Sequence, residues 1–185
     1  MPRYVALLRG INVGGNTMIR MEELRAMFEA LRFGRVSSYI NSGNIAFDPP
    51  DLEKPSEFRR TTESGLIAQL ESAIEQKFGK QISVMVRAQN HVAAVIAANP
   101  FAGEFESHKE MHVLFLLDEM PAEKADQLMA AATDGERFAV RSREIYCHLK
   151  LGVANSLLGK GFIEKKLKIP FTARNWRTVL NLAEL

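Results

Sequence analysis

The first secondary-structure elements can be predicted from the stretch YVALLRGINVGGNTMIRMEELRAMFEALRFG, which runs from Tyr4 to Gly34. Its first five residues, Tyr4 to Leu8, are apolar and β-prone, which predicts a short buried strand. From Met21 onward the apolar residues recur with a period of 3.6, which predicts a helix with Gly34 as its stop. The connection between them contains three glycines, two asparagines and Arg9. The chain is therefore expected to begin as a strand, a glycine-rich loop and a helix.

A hairpin is predicted next, because the β-prone runs Val36 to Ile40 and Ile45 to Phe47 flank the turn residues 41–44. A second helix follows, with apolar residues spaced by four and Gly79 at its end, and Ile82 to Val86 reads as another strand. The order over residues 1–88 is βαββαβ. That order predicts a ferredoxin-like lobe with an antiparallel sheet and both helices on one face.

The second half of the chain has a related pattern. A helix from about Asn90 to Ala98 precedes a strand at 112–117, a helix at 121–132 and a hairpin turning at 142–144. The chain is predicted to finish in helical segments, the last with Thr172 as its N-cap. The class is thus α+β, with a second related α/β lobe over residues 89–185. The two lobes are expected to pack as one compact unit.

Composition and charge exclude several classes of protein. The 185 residues are 46% hydrophobic and 25% charged, as in an ordinary globular protein, and the net charge is only +2. Any basic binding surface must therefore be local. The single Cys147 excludes an internal disulfide and a thiolate zinc cage, and it fits a reducing compartment. No segment is long or apolar enough for a signal core or a membrane span, so a cytoplasmic location is predicted.

The topology gives the glycine-rich loop a location. In a βαββαβ sheet the first two strands run in the same direction, so loop 9–16 and hairpin turn 41–44 should be neighbours. Glycine N–H groups, the positive end of the first helix and an arginine together suit a small anionic or nucleotide-like ligand. The candidate ligand-binding residues in these loops are Arg9, Asn12, Gly14, Gly15, Asn41, Ser42, Gly43 and Asn44. Lys80 is expected at the same edge.

A structural interpretation of the same loops stays open. Glycine and asparagine build any tight connection between a strand and a helix, and asparagine amides commonly bond nearby backbone groups. On this interpretation all the motifs are structural and the chain is a protein-interaction module.

Known phosphate and catalytic motifs are not matched. GINVGG lacks the dinucleotide-binding spacing, and GVANSLLGKG, from Gly152 to Gly161, lacks that of a P-loop. His108 and His112 lie in a connector leading into a strand, where four-residue spacing does not place them on one face, so no metal is predicted. No nucleophile or acid–base pair is evident, and no cofactor is predicted. The sequence leaves enzymatic activity and oligomeric state undecided.

The basic C-terminal segment offers an alternative function. Six basic residues against one acid are interleaved with aromatic residues, a composition that suits a nucleic-acid backbone. The favoured interpretation is an amphipathic helix with apolar residues inward and solvated lysines. The basic residues are Lys160, Lys165, Lys166, Lys168, Arg174 and Arg177, and the aromatic residues are Phe162, Phe171 and Trp176.

Three motifs together resemble a known family. LLRGINVGG at 7–15, YINSGNIAF at 39–47 and TARNWRTVLNL at 172–182 are similar to segments of the bacterial family called domain of unknown function 1697, nearly end to end. The resemblance implies a two-lobed α+β protein without an assigned reaction. It also marks Arg174, Asn175 and Trp176 as residues that would complete the ligand site, with Trp176 available for stacking. Relatives often carry a lysine just after the paired glycines, where this chain has Asn16.

Overall fold

The computed structural model describes residues 2–14, 17–50 and 62–185. The chain divides into two compact units. The first lobe comprises residues 1–94 and 181–185, and the second lobe comprises residues 95–180.

The first lobe has the βαββαβ order followed by a third helix. Its four-stranded sheet has the order β2-β3-β1-β4, and every neighbouring pair is antiparallel, which is the ferredoxin-like arrangement. Apolar side chains of α1 and α2 pack with one face of this sheet to form the core. The elements are β1 (Tyr4–Leu8), α1 (Met21–Ala30), β2 (Gly34–Ser38), β3 (Asn44–Asp48), α2 (Glu63–Phe78), β4 (Val84–Ala88) and α3 (Gln89–Ala97).

The ends of these helices follow from local chemistry. Thr62 caps α2, because its side-chain oxygen accepts from the amide of Gly65 at 3.2 Å, and Gly79 ends the helix with φ = 64°. The end of α1 differs from the prediction. Its left-handed residue is Arg32, with φ = 64°, whereas Gly34 begins β2 and pairs with Asp48.

The second lobe repeats the strand order of the first. Its sheet has the order β6-β7-β5-β8, again with antiparallel neighbours. Where the first lobe has α2, the second has a short 3-10 turn, Val153–Asn155, and a π-helical turn, Phe162–Lys166. The elements are β5 (Met111–Leu116), α4 (Ala122–Ala131), β6 (Glu136–Arg141), β7 (Glu144–Leu149), β8 (Phe171–Asn175) and α5 (Trp176–Glu184).

The predicted helix starting after Thr172 is wrong in its first turn. Residues Phe171–Asn175 form β8, which pairs with β5 along its whole length. The helix begins at Trp176, and Asn175 is its cap, because the Asn175 Oδ1 atom accepts from the amide and hydroxyl of Thr178 at 2.9 Å. Pairing with a distant strand overrides the local helical pattern.

Two arginines show how closely the lobes correspond. Arg87 and Arg174 each occupy the fourth of five positions in the last strand of their sheet, and both are buried. Each donates from Nη1 to the carbonyl of the preceding residue, at 2.9 Å for Arg87 and 2.8 Å for Arg174. A nine-residue helix follows each strand directly. The shared detail supports a related plan for the two lobes.

Candidate functional site

The structure places the two loops of the first lobe side by side, as the topology predicts. The Leu8 amide at the end of β1 donates to the Gly43 carbonyl of the hairpin turn at 2.8 Å. The next amide, that of Arg9, donates to the Ser83 carbonyl before β4 at 3.0 Å. Three connections of the sheet therefore meet at one edge, which we call the first-lobe edge.

Asn12 joins the two loops through its side chain. The Asn12 Nδ2 atom donates to the Asn41 carbonyl at 2.7 Å and to the Ile19 carbonyl at 2.9 Å, while Oδ1 accepts from the Ile19 amide at 2.8 Å. Its backbone is left-handed, with φ = 54°, a conformation that asparagine tolerates better than most residues. The side-chain amide of Asn12 therefore holds the two loops together.

The hairpin turn is built by residues whose polar groups point inward. Asn44 is fully buried, and its Nδ2 atom donates to the Tyr39 carbonyl at 3.0 Å and to the Ser42 hydroxyl at 2.9 Å. Gly43 has φ = 77°, and a Cβ atom there would lie 2.7 Å from the Leu8 Cβ atom. Both residues therefore shape the turn from inside.

The other predicted loop residues lie nearer the surface. Arg9 and Ser42 are half-buried, while Gly14, with φ = 63°, and Asn41 are exposed. Gly15 lies outside the described residues.

An open depression borders this edge, with a volume of about 530 Å³. Its lining adds residues that sequence reasoning missed, because they belong to the start of α1 rather than to the glycine-rich stretch. Hydrogen-bond donors, carboxylates and apolar side chains all contribute, the lining residues being Asn12, Met18, Ile19, Arg20, Met21, Glu22, Glu23 and Asn41. The signal available in the sequence was the acidic first turn of α1, directly after the loop.

Large apolar side chains are exposed around the same edge. Val13 is 65% exposed, Met18 is 69% exposed and Ile40 is 52% exposed. Ile40 also has φ = 48°, which is unusual for a β-branched residue. Strained backbone is more common at functional sites, so the conformation of Ile40 adds to the features of this edge.

The third predicted segment lies inside the second lobe. Burial lowers the pKa of Arg174 to about 10, and its Nη1 atom also donates to the Thr172 hydroxyl at 2.7 Å. Asn175 is occupied as the cap of α5. Trp176 is 7% exposed, and its ring lies 6.0 Å from that of Phe105. The loops and this segment therefore belong to different lobes.

The basic and aromatic residues of the C-terminal segment differ in how far they are buried. The four lysines and Arg177 are exposed, whereas Arg174 and Trp176 are buried and Phe162 and Phe171 are half-buried. Ile163 and Leu167 pack in the second-lobe core.

The remaining candidates for chemistry differ in burial, since Cys147 is buried, His112 is half-buried and His108 is exposed. Cys147 is fully buried, and burial raises the pKa of its thiol. His112 lies in β5, and burial lowers its pKa. Across the described ranges, no three His, Cys, Asp or Glu side chains are grouped to hold a metal. No helix in those ranges is long and apolar enough to cross a membrane.

The fold is that of a two-lobed α+β protein in which each sheet has the ferredoxin-like strand order. Residues 1–146 match the model of a family described as a protein of unknown function, DUF1697, and the chain belongs to this family. A conserved bacterial protein of Streptococcus pneumoniae, SP0830, has a similar solved structure, with a TM-score of 0.72 and 23% sequence identity. That similarity covers 99% of this chain and 97% of SP0830 and shows the shared fold. The sequence matches no curated protein.

Proposed function

We propose that the protein binds a small nucleotide-like molecule in the depression at the first-lobe edge. The observation that carries the proposal is the mixed lining beside the Asn12 clamp. Arg20 supplies a guanidinium for a phosphate or carboxylate, Glu22 and Glu23 accept hydrogen bonds, and Met18 offers an apolar surface. A nucleotide-like molecule carries a partner for each of these groups.

The lining favours such a ligand over a bare anion. Two exposed carboxylates in the first turn of α1 would repel a lone anion at the positive end of the helix. The same carboxylates accept from the amino and imino groups of a base or a similar heterocycle. Recognition is therefore assigned to Arg20, Glu22, Glu23 and Asn41, with Arg9 at the margin of the edge.

Some of the residues predicted to bind the ligand have a structural role instead. The Asn12 and Asn44 amides are bonded within the loops, so their role is to support the edge rather than to contact a ligand. The third segment is likewise proposed to support its own lobe through the cap formed by Asn175. The lone buried Cys147 supports a reducing compartment, which is consistent with action in the cytoplasm.

The test is a binding screen with nucleoside phosphates, dinucleotides and inorganic phosphate, read by saturation-transfer NMR and by thermal shift. A ligand present at about 100 times its Kd adds about 2.7 kcal/mol of stability, which raises Tm by several degrees. For any phosphate-bearing ligand found, Arg20→Ala should weaken binding about 10-fold or more, because a charge-assisted hydrogen bond is lost. Arg9→Ala is a second variant of the same kind.

Arg32→Ala is the matched control, since Arg32 follows the other end of α1, about 15 Å away along the helix. It removes the same charge and should leave affinity unchanged. Failure of the wild-type protein to bind any compound in the screen, or equal affinities for Arg20→Ala and Arg32→Ala, would overturn the proposal. The loops would then be a scaffold.

A further inference from the structure

The excess positive charge of the chain is concentrated in one short segment of the second lobe. Residues 160–168, KGFIEKKLK, which we call the basic segment, contain four lysines and one glutamate. The rest of the chain contains 20 basic and 21 acidic residues. The basic segment therefore carries +3, while the remainder is almost neutral.

Packing turns these lysines outward. The segment lies where the second lobe lacks a counterpart of α2, and its π-helical turn closes when the Leu167 amide donates to the Phe162 carbonyl at 3.1 Å. Ile163 and Leu167 fill the core, so the ammonium groups at 160, 165, 166 and 168 are left on the surface. Single π-helical turns are rare in proteins.

The four ammonium groups have no carboxylate partner within the described part of the chain. The Lys166 ammonium group lies over the ring of Phe162, with its Nζ atom 5.1 Å from the ring centroid. Two exposed arginines elsewhere are paired with carboxylates, Arg35 with Asp48 and Arg137 with Glu104. Like charges on one short segment repel one another, and an anionic partner would relieve that repulsion.

Lys168 has an unusual backbone conformation within the basic segment. Its backbone is left-handed, with φ = 55°, between the buried residues Leu167 and Ile169. Glycine adopts this conformation at lower cost, so Lys168→Gly removes the ammonium group without adding backbone strain.

We propose that the basic segment binds the phosphate backbone of nucleic acid without reading its sequence. Lysines are point charges that suit phosphates, and four of them give binding that depends steeply on salt. An anionic membrane fits less well, because the large apolar side chains Ile163, Leu167 and Ile169 are buried and cannot insert into lipid. This activity lies in the second lobe and is independent of the ligand proposed for the first.

The experiment measures binding of a fluorescein-labelled DNA duplex by anisotropy between about 50 and 200 mM salt. Four phosphate contacts predict a slope of log K against log salt of about −3.6, which is a loss of affinity of about 150-fold over that range. Lys168→Gly should reduce the slope to about −2.7, a loss of about 40-fold. Its Tm should equal or exceed that of the wild type, because glycine relieves the left-handed backbone. The variant thus separates a binding effect from a folding effect.

Lys165→Glu/Lys166→Glu should lower affinity further, with a slope of about −1.8 or shallower. Lys77→Glu/Lys109→Glu is the matched control, since it makes the same charge change at exposed lysines outside the segment. Equal effects of the two double variants would overturn the proposal. So would binding without a salt dependence, or capture by anionic phosphatidylserine vesicles without binding of the duplex.

Discussion

Removal of the Asn12 side chain tests whether one amide holds the first-lobe edge together. The change is Asn12→Gly, since glycine adopts φ = 54° without strain and only the amide is lost. Three hydrogen bonds disappear, to the Asn41 carbonyl and to both backbone groups of Ile19. At about 1 kcal/mol for each bond, the first lobe should lose about 2–3 kcal/mol of stability.

Asn12→Ala separates the backbone contribution from that of the amide. Alanine removes the same three bonds and also places a Cβ atom in a left-handed residue, which costs about 1 kcal/mol more. The glycine variant should therefore be the more stable of the two. The opposite order would mean that the left-handed conformation of residue 12 is not retained.

Hydrogen exchange of individual amides is the appropriate assay. The single tryptophan lies in the second lobe, so its fluorescence reports on the wrong part of the chain. The Leu8 amide bonds to the Gly43 carbonyl across the two loops and should lose protection in Asn12→Gly. A change in the free energy of unfolding below about 0.5 kcal/mol, with Leu8 exchange unchanged, would refute the clamp, since that is the range of ordinary surface substitutions.

Three further predictions address other parts of the molecule. Trp176→Ala should lower the free energy of unfolding by about 3–5 kcal/mol in urea titrations, because it empties a buried ring position; a loss under about 1 kcal/mol would contradict this. The Arg35 guanidinium beside Asp48 lowers the pKa of that carboxyl in the folded protein. Ionised Asp48 therefore stabilises the fold at a pH above the pKa of Asp48 in the unfolded chain, and this stabilisation is lost as the pH falls through the lower pKa of the folded state. Asp48→Asn should consequently show a shallower loss of stability below about pH 4 than the wild type, and parallel curves would count against the ion pair. Cys147 should react with a thiol reagent only after unfolding, because burial raises the pKa of its thiol, and rapid labelling of the native protein would disprove the enclosed position.

Much of the first lobe was predictable because its signals are local. The β1 strand was predicted with its observed bounds, Tyr4–Leu8, and α1 with its observed start at Met21. Periodicity over a few residues reports which face of an element is buried, and glycine reports where the backbone turns. The adjacency of the two loops then followed from a general rule of sheet topology, without any side-chain information.

The candidate site was less accessible to sequence reasoning. Residue type predicts the asparagines at positions 12 and 44 as ligand contacts, and in the structure their side-chain amides bond the backbone of the loops. Arg20 and Glu23 line the depression, and the glycine-rich stretch does not point to them because they lie past the glycines, at the start of a helix. Which polar groups face solvent depends on side-chain direction, and residue type does not determine that.

The α+β class, the order of the first-lobe elements and the adjacency of the loop after β1 to the turn 41–44 follow from the sequence, because short-range patterns and topology imply them. That residues 171–175 form a strand follows from the tertiary structure, since their pairing with β5 is a long-range contact. The tertiary structure also decides the burial of Arg174 and the outward direction of the lysines in the basic segment. These features depend on what packs against each residue, and packing partners are distant in sequence.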